Sequence, residues 1–205
     1  MFAQRVNGAL RPLPPWMIYP LALLPVIWLF WQGAAGNLGA DPVKAVERQL
    51  GLLALQLLVA GLAITPLRWA TGINLIRFRR AIGLVAFFYV ALHLTVWVLL
   101  DLQLRWGEIW ADISRRPYII AGFTGFLALV PLAVTSNNWS IRRLGAAAWQ
   151  RLHMLTYLAA VAGAVHYLWL VKAWPVKPFL YLAAVLGLLG WRAIRRLRRS
   201  GVTAL

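Results

Sequence analysis

The chain contains no cysteine. A disulfide framework and a thiol relay are therefore excluded, and any redox work would fall to a bound cofactor. Acidic residues are scarce: Asp41, Glu47, Asp101, Glu108 and Asp112 stand against 21 lysines and arginines. No Asp, Glu or Lys lies well inside an apolar run, and Asp101 alone sits at the end of one. No internal repeat, low-complexity tract or domain-separating linker is visible. No glycine-rich dinucleotide motif follows a strand. These absences argue against a soluble nucleotide-using enzyme.

What the chain has in quantity is apolar length. Of its 205 residues, 62% are hydrophobic, and the apolar runs are long. A bilayer span needs about 20 such residues. Six segments qualify, at roughly 17–36, 48–67, 81–101, 118–136, 148–171 and 178–194. They are apolar nearly all round, whereas a soluble core helix would keep one polar face. Backbone groups in lipid must pair within their own segment, so the runs are read as helices. The expectation is an all-α membrane protein, one transmembrane domain over residues 1–205. Pro12, Pro14 and Pro15 should keep residues 12–15 from being helical, and Thr65-Pro66 should end the second span. Residues 106–117 leave room for an interfacial turn, and 135–138 read as a polar turn. Arg5 and Arg11 ahead of the first run imitate a secretory signal; the length of the run favours a retained helix.

The net charge of +16 invites a nucleic-acid reading, which the distribution of the charge rejects. Basic residues that bind DNA cluster on one soluble face; here they sit in short loops between spans. One side collects Arg5, Arg11, Arg68, Arg77, Arg79, Arg80, Arg142, Arg143, Arg151 and the arginines from Arg192 to Arg199. The other collects Lys44, Arg48, Arg105, Arg115, Arg116, Lys172 and Lys177, with all five acids. The positive-inside rule puts the first side, and both termini, in the cytoplasm. On that assignment the sequon Asn138-Trp139-Ser140 is cytoplasmic and unmodified. The tryptophans near span ends, Trp174 among them, form an aromatic belt.

All three histidines fall inside predicted spans: His93 in the third, His153 and His166 in the fifth. A strongly polar side chain at membrane depth is a functional candidate by default. A single histidine would more simply be a hydrogen-bonded packing residue; three of three point elsewhere. At ~1.5 Å per residue, His93 lies about 20 Å and His166 about 28 Å from the arginine-rich border, and His153 only about 9 Å. His93 and His166, on two helices at comparable depth, can ligate a flat macrocycle from both sides. Electron-carrying haem takes two such axial ligands. Zinc would need a third or fourth ligand that the region lacks. His153 and His166 lie about 140° apart on an ideal helix and need not serve one cofactor. A second haem or other cofactor at His153 has no histidine partner on span three; Arg79, fourteen residues before His93, offers an anion-binding fork instead. Its simpler reading is one more positive-inside residue.

These residues also carry a resemblance. Arg79-Arg80-Ala81-Ile82-Gly83-Leu84, Phe87-Phe88-Tyr89 and His93 resemble the third span of the ferric-reductase-like membrane family. Arg115-Arg116-Pro117-Tyr118-Ile119, Arg142-Arg143-Leu144-Gly145 and Trp149-Gln150-Arg151-Leu152-His153-Met154-Leu155-Thr156-Tyr157 are similar to its bacterial methionine-repair branch. The resemblance implies haem b as the main cofactor, on matching histidines His93, His153 and His166, with FMN also attributed to the branch. It implies a partner, the periplasmic molybdenum-dependent methionine sulfoxide reductase MsrP, which would do the catalysis. Quinone or a cytosolic flavin reductase would supply the electrons. Arg79 stands where related oxidases carry a histidine. Two rival readings are a stand-alone ferric reductase or quinone-linked cytochrome b, and a non-redox transporter.

Overall fold

The computed structural model describes residues 1–171 and 175–202. Lys172, assigned above to the acid-bearing side, and Trp174 of the aromatic belt lie outside the described residues. The architecture is helical, with no strand among the described residues. The helices are α1 (Phe2–Leu10), α2 (Ile18–Ala34), α3 (Pro42–Thr71), α4 (Arg79–Val96), α5 (Trp106–Arg115), α6 (Pro117–Val134), α7 (Asn138–Leu144), α8 (Ala146–His153), α9 (Leu155–Leu170) and α10 (Val176–Val202). Among the described residues six stretches are long and apolar enough to cross a membrane: Pro15–Ala34, Pro42–Thr71, Ile76–Asp101, Pro117–Val134, Ala146–Leu170 and Val176–Arg198. They correspond one for one to the six expected spans.

Several local expectations are corrected. The second span begins earlier, because Asp41 accepts from the Lys44 N–H and Pro42 occupies the first helical position. Such a cap satisfies a free donor of the first turn. The same Lys44 N–H holds the Asp41 carboxyl below the usual carboxylate range. At its other end α3 runs through Pro66 to Thr71 and stops only at Gly72, with φ 78°. Proline removes a ladder donor and strands the carbonyl four residues back. That carbonyl is Leu62, and Arg192 of α10 donates Nη2–H to it at 2.5 Å. A charged donor from another helix thus replaces the missing amide. Pro15 opens a turn of 3₁₀ helix leading into the first span, contrary to the expected break. Residues 106–117 hold a full amphipathic helix, α5, and the fifth span is two helices meeting at Met154.

The bundle is centred on α3, which packs most closely on α4 and also touches α2, α9 and α10; the other main pair is α6 with α9. Fully buried alanines line these seams, among them Ala86, Ala160 and Ala164. Small residues let membrane helices approach closely where lipid supplies no hydrophobic drive. Leu24, Ile27, Leu127, Leu180 and Leu186 are exposed, as a lipid-facing surface requires.

The arginine-rich loops gather at one end. Asn7 of α1 donates to the Gly72 carbonyl and accepts from the Asn74 N–H. Arg77 holds the Arg11 and Leu13 carbonyls at 2.9 and 2.7 Å. Arg80 reaches Asn138 of the α6–α7 turn, and Arg195 of α10 lies over Trp69.

Candidate functional site: a paired-histidine cavity

Two of the three histidines meet. His93 of α4 and His166 of α9 face each other with ring centres 6.1 Å apart and planes at 76°. Both line one cavity of about 1130 Å³, walled by apolar side chains including Leu55, Val90, Phe123 and Phe126.

The ring nitrogens have distinct roles. His93 Nδ1 lies 2.8 Å from the Glu47 carbonyl, and His166 Nδ1 lies 2.6 Å from the Tyr118 carbonyl. A carbonyl only accepts, so each Nδ1 carries the proton and donates. Each Nε2 therefore keeps its lone pair, and among the described residues it has no hydrogen-bond partner. A metal-ligating imidazole is ordinarily held this way, by its second nitrogen on an oxygen acceptor. With metal–imidazole bonds of about 2 Å, rings whose centres are 6.1 Å apart leave room for a metal between them. Among the described residues no cluster of three or more His, Cys, Asp or Glu could hold a metal. The residues present, two imidazoles in a largely apolar cavity, fit a haem.

The rim toward the acid-bearing end is mixed in charge. Lys44, Arg48 and Arg116 line it, together with Glu47 and Asp101. Arg116 bonds the Tyr118 hydroxyl at 3.2 Å and pairs with Asp112 at 3.1 Å. The Tyr118 hydroxyl and then the nearby carboxylates Asp112 and Asp101 hold its guanidinium charged beyond the usual range.

The third histidine stands apart. His153 Nε2 is 3.1 Å from the Thr135 hydroxyl, which itself donates to the Pro131 carbonyl at 2.6 Å. The hydroxyl proton being spent, Nε2–H is the donor to Thr135. The ring stacks on Trp149 at 3.7 Å, and the Trp149 indole N–H bonds the Thr135 carbonyl. Arg79 bonds the Thr65 hydroxyl on α3. No hydrogen bond joins Arg79 to His153, and neither lines the His93–His166 cavity. The sequence reading found the two facing histidines but missed their acceptors, because a main-chain carbonyl has no signature in residue type. It also missed the link from Arg192 to Pro66, for which the unpaired carbonyl ahead of a mid-span proline was the available signal.

A bundle of helices long and apolar enough to span a membrane agrees with the family whose profile matches residues 49–164, described as ferric reductase like transmembrane component. The match is finer still against individual proteins. The "Protein-methionine-sulfoxide reductase heme-binding subunit MsrQ" of Brucella ovis is 49% identical over 190 residues, covering 93% of this chain and 86% of that protein. The protein of the same name from Brucella abortus matches equally. The chain belongs to the ferric-reductase-like transmembrane family, in its MsrQ branch. No solved structure matches it.

Proposed function

We propose that this protein holds one b-type haem on His93 and His166 and serves as the electron-carrying membrane subunit of a methionine sulfoxide reductase system. The observation that carries the reading is the facing pair, 6.1 Å apart, with both Nδ1 atoms bonded to carbonyls. When bound, haem supplies one-electron transfer without an open site for oxygen. The chain's own residues do the rest. His93 and His166 present Nε2 to the cavity; Lys44, Arg48 and Arg116 offer cations to the anionic edge of the macrocycle; the apolar walls exclude water. Electrons would enter from quinone or a cytosolic flavin reductase and leave to MsrP on the periplasmic side. The docking surface would lie beside residues 101–116 and the loop at 172–177, of which 172–174 fall outside the described residues.

The orientation belongs to the same proposal: an inner-membrane protein with both termini cytoplasmic. Reporters fused within residues 106–112 should read as external, and an external signal from residues 72–74 would contradict the six-span arrangement. An inner cofactor is a separate proposal. His153 spends Nε2 on Thr135, so Arg79 is the better holder, through the phosphate of an FMN or another anionic group.

An absorption spectrum of the purified protein tests the main reading. Low-spin haem bands are expected, and their absence from protein made with ample haem would refute it. The reduced protein alone should not reduce methionine sulfoxide; turnover should require the periplasmic reductase.

A further inference from the structure

His93 and His166 sit in the same local arrangement on two different helix pairs. Each imidazole crosses to the partner helix and bonds a carbonyl there: Glu47, 46 residues before His93, and Tyr118, 48 residues before His166. One turn above each acceptor stands a glycine, Gly51 over Glu47 and Gly122 over Tyr118. Helical side chains lean toward the N-terminus, over the turn below their own Cα. A Cβ at 51 or 122 would therefore cover the carbonyl that the imidazole has to reach.

The distances bear this out. A Cβ on Gly122 would stand 2.8 Å from His166 Nδ1 and 3.1 Å from its Cε1. A Cβ on Gly51 would stand 3.2 Å from His93 Nδ1. Neighbouring glycines are different: a Cβ on Gly125 would meet Ala159 at 3.5 Å and one on Gly163 would meet Leu55 at 3.7 Å, both ordinary contacts. Glycine in a helix costs about 1 kcal/mol against alanine. Close helix packing is its commoner reason in membranes. At 51 and 122, however, the three nearest atoms all belong to the imidazole and none to a facing backbone.

We propose that Gly51 and Gly122 are matched positioning residues for the two haem-ligating histidines. Lacking a Cβ, each lets its imidazole seat Nδ1–H on a carbonyl, which fixes the tautomer, aims Nε2 into the cavity and raises the basicity of the ring. The proposal rests on the haem reading above. A more basic ligand favours ferric iron, so loosening either bond shifts the midpoint potential upward. The effect at Gly122 exceeds that at Gly51, because 2.8 Å forces the ring to move and 3.2 Å asks only a few tenths of an ångström.

The test compares Gly122→Ala and Gly51→Ala with Gly61→Ala and Gly83→Ala, two helical glycines outside the cavity with room for a Cβ, in the full-length protein. Before haem loading, NMR of the histidine Nδ1–H resonances reads the two hydrogen bonds directly. After loading, the potential and the electron paramagnetic resonance g-values read ligand strength and ring orientation. Expected are an upfield or lost Nδ1–H signal and a raised potential in the first two variants, in the order Gly122 then Gly51, with the other two like wild type. Should Gly122→Ala fail to accumulate, Gly51→Ala still gives the result. Wild-type behaviour in both clearance variants, or equal shifts in the controls, overturns the proposal. A wild-type protein that takes up no haem sinks the haem reading instead, and the Nδ1–H measurement stands independently of it.

Discussion

The two ends of this bundle treat polar groups in opposite ways. Toward the acid-bearing end, His93 and His166 each commit one nitrogen to a main-chain carbonyl and keep the other unbonded. Toward the arginine-rich end, polar side chains are consumed by the scaffold itself. His153 donates to Thr135, Arg192 fills the carbonyl stranded by Pro66, Arg79 bonds Thr65, and Arg77 holds the carbonyls after α1. The difference separates a site from a support. Intramembrane histidine alone does not mark a ligand; the two proposed as ligands are those that line the cavity and keep a second nitrogen spare.

The sharpest way to break this comparison is to remove the spare nitrogens. His93→Ala or His166→Ala should abolish the low-spin haem spectrum or release the haem, with the protein still in the membrane. Unchanged, stoichiometric low-spin haem in both variants would mean that the cavity is not the site. Next in size is the support at Pro66. Arg192→Leu leaves the Leu62 carbonyl without a donor, and an unsatisfied buried acceptor costs about 1–3 kcal/mol. Pro66→Ala restores an amide one turn on, so the double variant should recover most of the lost thermal stability in detergent. Additive losses would show that Arg192 does not serve that carbonyl.

Much of this was legible in the sequence, for physical reasons that can be named. The six spans followed from apolar run length, which lipid enforces strictly. The facing histidines followed from the rarity of polar side chains at depth. The end of the second span misled, because the residue that rescues Pro66 lies 130 positions away from Leu62. Proline rules are local, and this compensation is not. Likewise nothing in the residue types of Glu47 and Tyr118 announces that their carbonyls anchor imidazoles. The anchoring left a trace only in the glycines one turn on.

An inner cofactor would blur the contrast between the two ends, and its stoichiometry is the way to find out. Haem and FMN per polypeptide should be counted in fresh membranes. One haem with one FMN, the flavin falling in Arg79→Gln, supports an anionic cofactor held at Arg79. One haem and no flavin ends that proposal and leaves the arginine end purely structural.

The smallest effect is expected at His153. Its Nε2–H bond to Thr135 ties α8 to the end of α6, where Thr135 also closes a turn on Pro131, and its ring stacks on Trp149 within α8 itself. A single hydrogen bond contributes about 1 kcal/mol net, and an aromatic contact adds about as much. His153→Leu removes both and leaves the Thr135 hydroxyl still bonded to Pro131, so no buried proton is stranded. The variant should therefore unfold slightly earlier in a detergent melt, by about 1–2 kcal/mol at most. The potential and g-values of the His93–His166 haem should not move, because His153 does not line that cavity. Loss of a second haem signal in this one variant would show that the arginine end ligates iron after all, and that the bond to Thr135 gives way when it does.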